Sequence, residues 1–400
     1  MSVQETGVSA ILAYFMRLEE ARRERETLLT SGEVWDFCIR ADGSASVLRF
    51  GGGLTEVRIP AFLEGCPVTE IGAYAFAGCE DLCRVTVPEG VEEIGEGAFG
   101  GCTALEEIVL PGTLRCLGAQ CFADCAALEA LHLPPLTENL PAGMCRGCGS
   151  LREVILPRLL PEDAVLGKSA FCECGSLERL ELPEGLVKLD GMAFFNCVRL
   201  REIVLPASLE EIGSSALAFC RALTAVVLPE RVCRLGVQPF FHCEALEEVT
   251  LPAALTEAEG NPFGGCAGLK EVRIAAGNPV FAVAGDFLID WATGQALSYL
   301  SGRNAAFAIV PAGLREIGDH TFTGSKGLIS VTVPEGIERI GSAAFSGCGS
   351  LRRVSLPGSL QRIGRDMFDG CGSVVLEAPE GTRAAAYARK QRAELAIREE

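Results

Sequence analysis

Apolar and polar positions recur along most of the chain with a step of 23 residues. Each step carries a proline, usually preceded by an apolar residue, and most intervals between successive prolines are 23 residues. These prolines are Pro60, Pro88, Pro111, Pro134, Pro157, Pro183, Pro206, Pro229, Pro252, Pro311, Pro334 and Pro357. A fixed period of this length predicts a repeat protein, in which each repeat buries its apolar face only against its neighbours.

Each repeat begins with an alternation that predicts a short strand. In one repeat Leu105, Ile108 and Leu110 are the inward positions, and Glu106, Glu107 and Val109 lie between them. This spacing is typical of a half-buried strand. Pro111 follows directly, and proline cannot donate to the sheet, so we expect the strand to end there.

The rest of the repeat predicts a second extended segment and a turn. Leu114 and Leu117 are the apolar positions of the segment, and Gly118 follows at a position where a Cβ atom would be costly. Phe122 and Cys125 are three residues apart, which fits one helical or 3₁₀ turn that returns the chain to its start.

The phenylalanine and cysteine positions form two ladders along the chain, and we expect the phenylalanines, Phe194 among them, to point inward. Cys145 and Leu217 replace phenylalanine in two repeats, and Ser325 replaces cysteine in one. The cysteine ladder comprises Cys79, Cys102, Cys125, Cys148, Cys174, Cys197, Cys220, Cys243, Cys266, Cys348 and Cys371. Because most of the nineteen cysteines follow the repeat, we interpret them as buried free thiols, although disulfides between neighbouring repeats are geometrically conceivable.

The segment VEEIGEGAFGGC, from Val91 to Cys102, resembles the BspA-type leucine-rich repeat almost position for position. The resemblance covers about residues 54–380. It implies an α/β repeat solenoid of about fourteen turns, a leucine-rich repeat right-handed superhelix with a parallel β-sheet face. Each repeat would contribute short strands and a short helical turn.

The pattern divides the chain into four parts. We expect an N-terminal helix in residues 1–30, a capping hairpin in 31–53 that turns at Asp42-Gly43, and the solenoid in 54–380. A hairpin insertion near 279–303 would have strands near Phe287–Asp290 and Gln295–Leu300. Residues 381–400 would form a capping helix that Thr382 begins and that ends near Arg398.

The net charge of the chain disfavours two classes of partner, and the N-terminal sequence indicates the compartment. Its net charge of −18 disfavours binding to nucleic acid or to anionic lipid. No run of apolar residues is long enough to span a membrane, and the N-terminus carries Glu5 where a signal peptide would be positive. The sequence therefore predicts a cytoplasmic protein; the alternative is a cell-surface or secreted protein that leaves by a leaderless route.

Candidate chemistry is sparse. The glycines between Gly95 and Gly100 have dinucleotide-binding spacing, but no strand-helix-strand unit surrounds them. Cys145 and Cys148 have redox or zinc spacing, yet both occupy ladder positions. The three histidines fall in different repeats, so we predict no catalytic, cofactor or metal site.

The better candidate for a functional surface is the outward face of the sheet that the first strands of the repeats are predicted to form. The central outward row is Thr86, Val109, His132, Ile155, Glu181, Val204, Val227, Thr250 and Arg273, and a largely acidic row flanks it. The predicted partner-binding residues are Val109, His132, Ile155, Glu181, Val204, Val227, Glu107, Glu153, Glu202 and Glu248. The exposed aliphatic residues have two interpretations: β propensity alone, or a contact stripe.

The resemblance implies protein binding, and characterised relatives are associated with microbial cell-surface adhesion. Three functions follow: a non-catalytic interaction solenoid with an unidentified protein partner, a bacterial adhesin that binds host or neighbouring-cell proteins, and an architectural protein that self-associates. The sequence does not fix the oligomeric state.

Overall fold

The computed structural model describes residues 12–20 and 34–390, together with the backbone of 394–398. The chain is a β-solenoid of about 14 turns with parallel sheets, which confirms the predicted fold class. It contains two compact units, Met1–Leu209 and Glu210–Glu400, and both are built from the same kind of turn.

Every regular turn has three parts, which we call the front strand, the rear strand and the return segment. In one turn the front strand is Glu107–Val109 and the rear strand is Cys116–Leu117. In the front strand only Ile108 points inward, and both of its neighbours are exposed. The return segment follows Gly118 and carries Phe122, which is fully buried.

The front strands form several hydrogen-bonded groups. Within each group neighbouring strands are parallel, and their registers join equivalent residues of successive turns. In the first unit they are Glu56–Arg58, Arg84–Thr86, Glu107–Val109, Ala130–His132, Glu153–Ile155, Arg179–Glu181 and Glu202–Val204. In the second unit they are Ala225–Val227, Glu248–Leu251, Glu271–Ile274, Phe307–Ile309, Ser330–Thr332, Arg353–Ser355, Val375–Pro379 and Glu394–Arg398.

The rear strands are also parallel and are mostly two residues long. In the first unit they are Cys66–Ile71, Glu93–Ile94, Cys116–Leu117, Leu159–Leu166 and Glu184–Leu189. In the second unit they are Glu211–Ile212, Arg234–Leu235, Glu257–Ala258, Glu316–Ile317, Arg339–Ile340 and Arg362–Ile363.

The phenylalanine ladder forms the centre of the core. In the first unit Phe76, Phe99 and Phe122 are stacked with ring centroids 5.0 and 5.8 Å apart. Phe194 is fully buried and lies 5.5 Å from Phe171 with nearly parallel rings, as its inward assignment predicted. Offset stacking of this kind adds to the free energy gained by burying each ring.

The cysteine ladder satisfies backbone carbonyl groups inside the core. The thiol of Cys102 donates to the carbonyl oxygen of Phe76 at 3.1 Å, and the thiol of Cys125 donates to that of Phe99 at 3.2 Å. Both cysteines are fully buried, and all nineteen cysteines are free thiols. Cysteine suits the position because it is a small apolar side chain with one weak donor.

Residue 118 must be glycine because the backbone of the preceding turn lies too close for a side chain. A Cβ atom at this residue would lie 2.3 Å from the backbone nitrogen of Glu96 in the preceding turn. The backbone of Gly118 donates in the same region, to the carbonyl oxygen of Ile94 at 2.7 Å. The cost that the sequence predicted for a side chain here therefore comes from the neighbouring turn.

The return segment is a series of tight turns, and its hydrogen bonds have the three-residue spacing of the 3₁₀ turn, one of the two predicted alternatives. The amide of Cys125 donates to the carbonyl of Phe122, three residues earlier, at 3.4 Å. Gln120 and Asp124 flank Phe122, and both have φ of 59°. Left-handed residues interrupt the right-handed path on either side of the ring, so the segment cannot continue as a helix.

The N-terminal elements cover one side and one end of the first unit. Residues 12–20 are helical, and Tyr14 is 2% exposed within a cluster that contains Tyr74, Ala77 and Ala123. The other residues of the predicted helix, 1–11 and 21–30, lie outside the described residues. Trp35–Ile39 pairs antiparallel with Ala45–Phe50 in a hairpin.

Phe50 connects this hairpin to the core, because its ring stacks 5.2 Å from that of Phe76. A smaller strand, Phe62–Leu63, pairs antiparallel with Cys66–Ile71. The hairpin therefore extends the phenylalanine stack of the first unit beyond the first regular turn.

The insertion in the second unit has three strands, whereas the sequence predicted two. Phe281–Ala284, Phe287–Asp290 and Gln295–Tyr299 form an antiparallel meander, and a 3₁₀ turn at Ser301–Arg303 follows. The first strand escaped prediction because its connection to the second is only Gly285-Asp286, with Gly285 at φ 58°. Gln295–Tyr299 then pairs in parallel with the rear strand Glu316–Ile317.

The C-terminal helix is shorter than predicted. It spans Arg383–Lys390, and Glu394–Arg398 forms a strand that pairs in parallel with Val375–Pro379. The prediction of a helix to about Arg398 is therefore wrong in its last part. The physical reason is the front sheet, whose last strand would otherwise present an unpaired edge.

Candidate partner-binding surface

The front strands place the predicted aliphatic residues on the outside of the molecule. Val109, Ile155 and Val204 in the first unit are 48%, 49% and 37% exposed, and Val227 in the second unit is 75% exposed. Each follows an inward residue within its three-residue strand. The alternation of a β-strand therefore sets their direction.

The register places polar residues beside the aliphatic ones. His132 is paired with Ile155, Glu181 with Val204, and Val227 with Thr250. The hydrogen-bonded front sheet of the first unit is also divided into three groups of strands, which contain Val109, Ile155 and Val204 respectively. The structure thus gives an interrupted apolar row in which polar residues separate the aliphatic ones.

Arginines on the same face partly neutralise the acidic row, and the imidazole of His132 lies beside one further member of it. In the first unit Glu107 lies 3.8 Å from Arg84, Glu202 lies 3.4 Å from Arg179, and Glu153 lies 3.2 Å from the imidazole of His132. In the second unit Glu248 lies 3.0 Å from Arg273. Exposed pairs of this kind stabilise a fold little, at about 0–1 kcal/mol each. They give the face alternating charge.

Two outward residues of the second unit were missed in the sequence. Phe307 and Ile309 are 71% and 72% exposed on the same front strand, with Ala308 buried between them. The insertion breaks the 23-residue step just before this strand, so the outward row ended at Arg273. The apolar-alanine-apolar pattern was the available signal.

The histidines are closer together than the sequence predicted. In the second unit the ring of Phe241 lies 4.4 Å from His242 and 5.2 Å from His320, and Phe219 stacks on His242 at 5.3 Å. Burial lowers the pKa of both His242 and His320. His132 lies apart from them, exposed on its front strand of the first unit.

Among the remaining titratable groups, several buried cysteine thiols have shifted pKa values. Burial raises the pKa of Cys102, Cys125 and Cys145, so these side chains stay protonated, and the thiols of Cys102 and Cys125 donate in the core. Across residues 12–20 and 34–390 no group of three or more histidine, cysteine or acidic residues is arranged to hold a metal ion. Within that same part of the chain, every helix is too short or too polar to cross a membrane.

Comparison with known proteins extends these observations. A family model described as BspA type leucine-rich repeat region matches six copies, over residues 53–162, 164–282 and 300–378. These residues make up more than half of the chain. No curated protein matches it.

Solved structures show the same fold. A leucine-rich repeat protein from Bacteroides ovatus is 23% identical, with a TM-score of 0.60 over 92% of this chain and 99% of that one. A leucine rich cell surface protein from Faecalibacterium prausnitzii is 22% identical, with a TM-score of 0.57 over 87% of this chain and 88% of that one.

Proposed function

Because the chain belongs to the BspA-type leucine-rich repeat family, we propose that it is a non-catalytic scaffold that binds a protein partner through the outward face of its front strands. Leucine-rich repeat proteins bind proteins in general. The observation that carries the proposal is the exposure of Val109, Ile155, Val204 and Val227. The first three share their strands with an outward glutamate.

The face has the composition of a specific protein interface. Burying an exposed valine or isoleucine contributes about 1.5–3 kcal/mol. The paired charges around these side chains supply directional contacts and disfavour partners with the wrong pattern of charge. Glu107, Glu153, Glu202 and Glu248 fit this role, since each already lies near a cationic residue or histidine.

His132 and Glu181 complete the proposed face in the first unit. Both are exposed and each is in register with an aliphatic residue, Ile155 or Val204. A partner that covers the aliphatic side chain would therefore also meet a polar group beside it, as at the polar rim of other interfaces.

The test is affinity capture from the native host with wild type and a variant that carries glutamate at Val109, Ile155, Val204 and Val227. The control variant carries glutamate at four exposed apolar residues outside the front strands, Phe62, Leu159, Val165 and Val237. Circular dichroism first establishes that all three proteins fold.

We expect one protein to be captured by wild type and control and lost with the front-strand variant. With that protein purified, the dissociation constant should rise at least about 100-fold in the front-strand variant, which is about 2.7 kcal/mol. Equal capture by all three proteins would refute the proposed face. If the partner is lost with the front-strand variant, a second variant carries Phe307→Glu and Ile309→Glu. A raised dissociation constant for this variant would show that the contact extends to the front strand of residues 307–309 in the second unit.

A further inference from the structure

The second unit contains a cleft beside its C-terminal helix. The cleft has a volume of about 680 Å³. Its walls are the rear strands Arg339–Ile340 and Arg362–Ile363, the residues 364–366 that follow, and one side of the helix Arg383–Lys390. It lies on rear strands and the helix, so its function is independent of the face proposed above.

Positive charge is concentrated in this cleft although the whole chain carries −18. One carboxylate, Asp366, lines it together with five cationic residues, which are Arg339, Arg362, Arg365, Arg383 and Lys390. A cleft lined by one sign of charge concentrates ions of the opposite sign.

On the earlier rear strands of this unit, up to Arg339–Ile340, arginine is paired with acidic residues. Arg234 is in register with Glu211 and Glu257, and Glu211 forms an ion pair with it at 2.6 Å. Arg339 likewise forms ion pairs with Glu316 and with Asp319. Such alternation places opposite charges on adjacent strands, which stabilises the pairing.

The last rear strand breaks this alternation. Arg362 is in register with Arg339, so two guanidinium groups start from adjacent strands. Like charges in this position destabilise a sheet. Among the residues that the structure describes, Arg362, Arg365, Arg383 and Lys390 form no ion pair with a carboxylate.

The cleft also has an apolar part. Ile363 and Tyr387 are half-buried, and both pack against the core of the second unit. An anion bound by the surrounding cations would therefore lie beside one aliphatic and one aromatic side chain. This combination suits a small organic molecule that carries several charges.

We propose that this cleft binds a compact polyanion with two or more phosphate or carboxylate groups. Guanidinium groups bind both kinds of oxyanion through paired N–H donors. Arg362, Arg365 and Arg383 supply three such groups, and none of them is paired with a carboxylate of the described residues. Bound anion would offset the repulsion between Arg339 and Arg362. Asp366 opposes binding, since its charge has the same sign as the ligand.

The test uses the full chain and isothermal titration calorimetry with inorganic tripolyphosphate and, separately, citrate at constant ionic strength. The variant is Arg362→Gln with Lys390→Gln. The matched control is Arg152→Gln with Arg201→Gln, two exposed arginines of the first unit that lie outside the cleft. Asp366→Asn removes the opposing charge, and asparagine tolerates the left-handed φ of 52° at that residue.

We expect saturable binding of at least one anion by wild type and control, a loss of at least about tenfold in the cleft variant, and an affinity gain of about two- to fivefold in Asp366→Asn. Binding of tripolyphosphate alone assigns the ligand to phosphates, and binding of citrate alone assigns it to polycarboxylates. Absence of binding to either, or an equal loss in cleft variant and control, would overturn the proposal.

Discussion

At the scale of single residues, Phe194 tests whether the phenylalanine ladder supplies stability. Its ring is fully buried and stacked on Phe171. Phe194→Ala should lower the free energy of unfolding by about 3–5 kcal/mol, because it removes apolar burial and leaves a cavity. Denaturant unfolding measures the change. Phe62→Ala is the control, since Phe62 is 63% exposed and its truncation should cost little. Equal midpoints for the two variants would contradict the inward role of Phe194.

His242 and His320 give the second unit a dependence on pH. Burial lowers the pKa of both below the ordinary value of 6.5, so the folded state binds these protons less readily than the unfolded chain does. Their stabilising contribution is therefore complete above pH 6.5 and is lost as pH falls through the folded-state pKa. Both residues are partly exposed, so the effect should be below about 1 kcal/mol each.

The measurement is the unfolding free energy of wild type and of His242→Asn with His320→Asn at pH 7.5 and pH 5.5. Asparagine is chosen because both residues have positive φ, 56° and 57°. Wild type should lose more stability between the two pH values than the variant. An identical loss would show that protonation of these rings does not oppose folding.

The 23-residue step was sufficient to assign inward and outward residues, because strand alternation leaves one choice of face once a single position is fixed. It predicted the burial of Phe194 and the exposure of Val109. The 23-residue step did not predict that His242 lies near His320. The two residues are separated by 77 residues that include an irregular insertion, and their proximity depends on how that insertion packs.

At the scale of elements, the C-terminal strand Glu394–Arg398 protects the edge of the strand Val375–Pro379. Truncation after Lys390 should lower the stability of the second unit by about 1–3 kcal/mol, since several backbone hydrogen bonds are lost. The exposed edge should also promote self-association. Thermal unfolding and the concentration dependence of the mass in analytical ultracentrifugation measure both effects.

Truncation after Arg398 is the matched control, because it leaves the paired strand complete. If both truncated proteins behave as wild type, the strand Glu394–Arg398 does not contribute to the end of the sheet. The sequence predicted a helix here because Thr382 can cap one. An unpaired sheet edge is a tertiary feature, and a local capping residue gives no information about it.

At the scale of the whole molecule, the nineteen free cysteines predict a graded pattern of thiol reactivity. Cys38 and Cys116 are exposed, whereas most of the ladder is buried. Brief iodoacetamide treatment of the folded protein should modify Cys38 first. Cys116 should react more slowly, because burial and Glu138 raise its pKa. In denaturant all nineteen should react, and peptide mass spectrometry counts them. Early modification of Cys102 in the folded protein would contradict the buried ladder.

For the candidate surface, the sequence predicted which residues face out and the structure adds what surrounds them. The salt bridges of Glu107, Glu202 and Glu248 depend on side chains from other strands. A sequence pattern specifies the residue type at each position but leaves open the side-chain geometry that joins Arg273 to Glu248. The repeat pattern therefore could not predict that these ion pairs neutralise charge on the face.

The thiol-to-carbonyl hydrogen bond of the cysteine ladder has a consequence for how such a chain lengthens over evolutionary time. Cys102 bonds to Phe76 in the turn before it, and Cys125 bonds in the same way to Phe99 in the turn before it, so each turn presents the same contact on both sides. Unequal recombination that duplicates or deletes one whole repeat recreates that contact without any compensating mutation. A gene of this kind can therefore change the length of its product in single steps of one turn while every new junction is already compatible with folding.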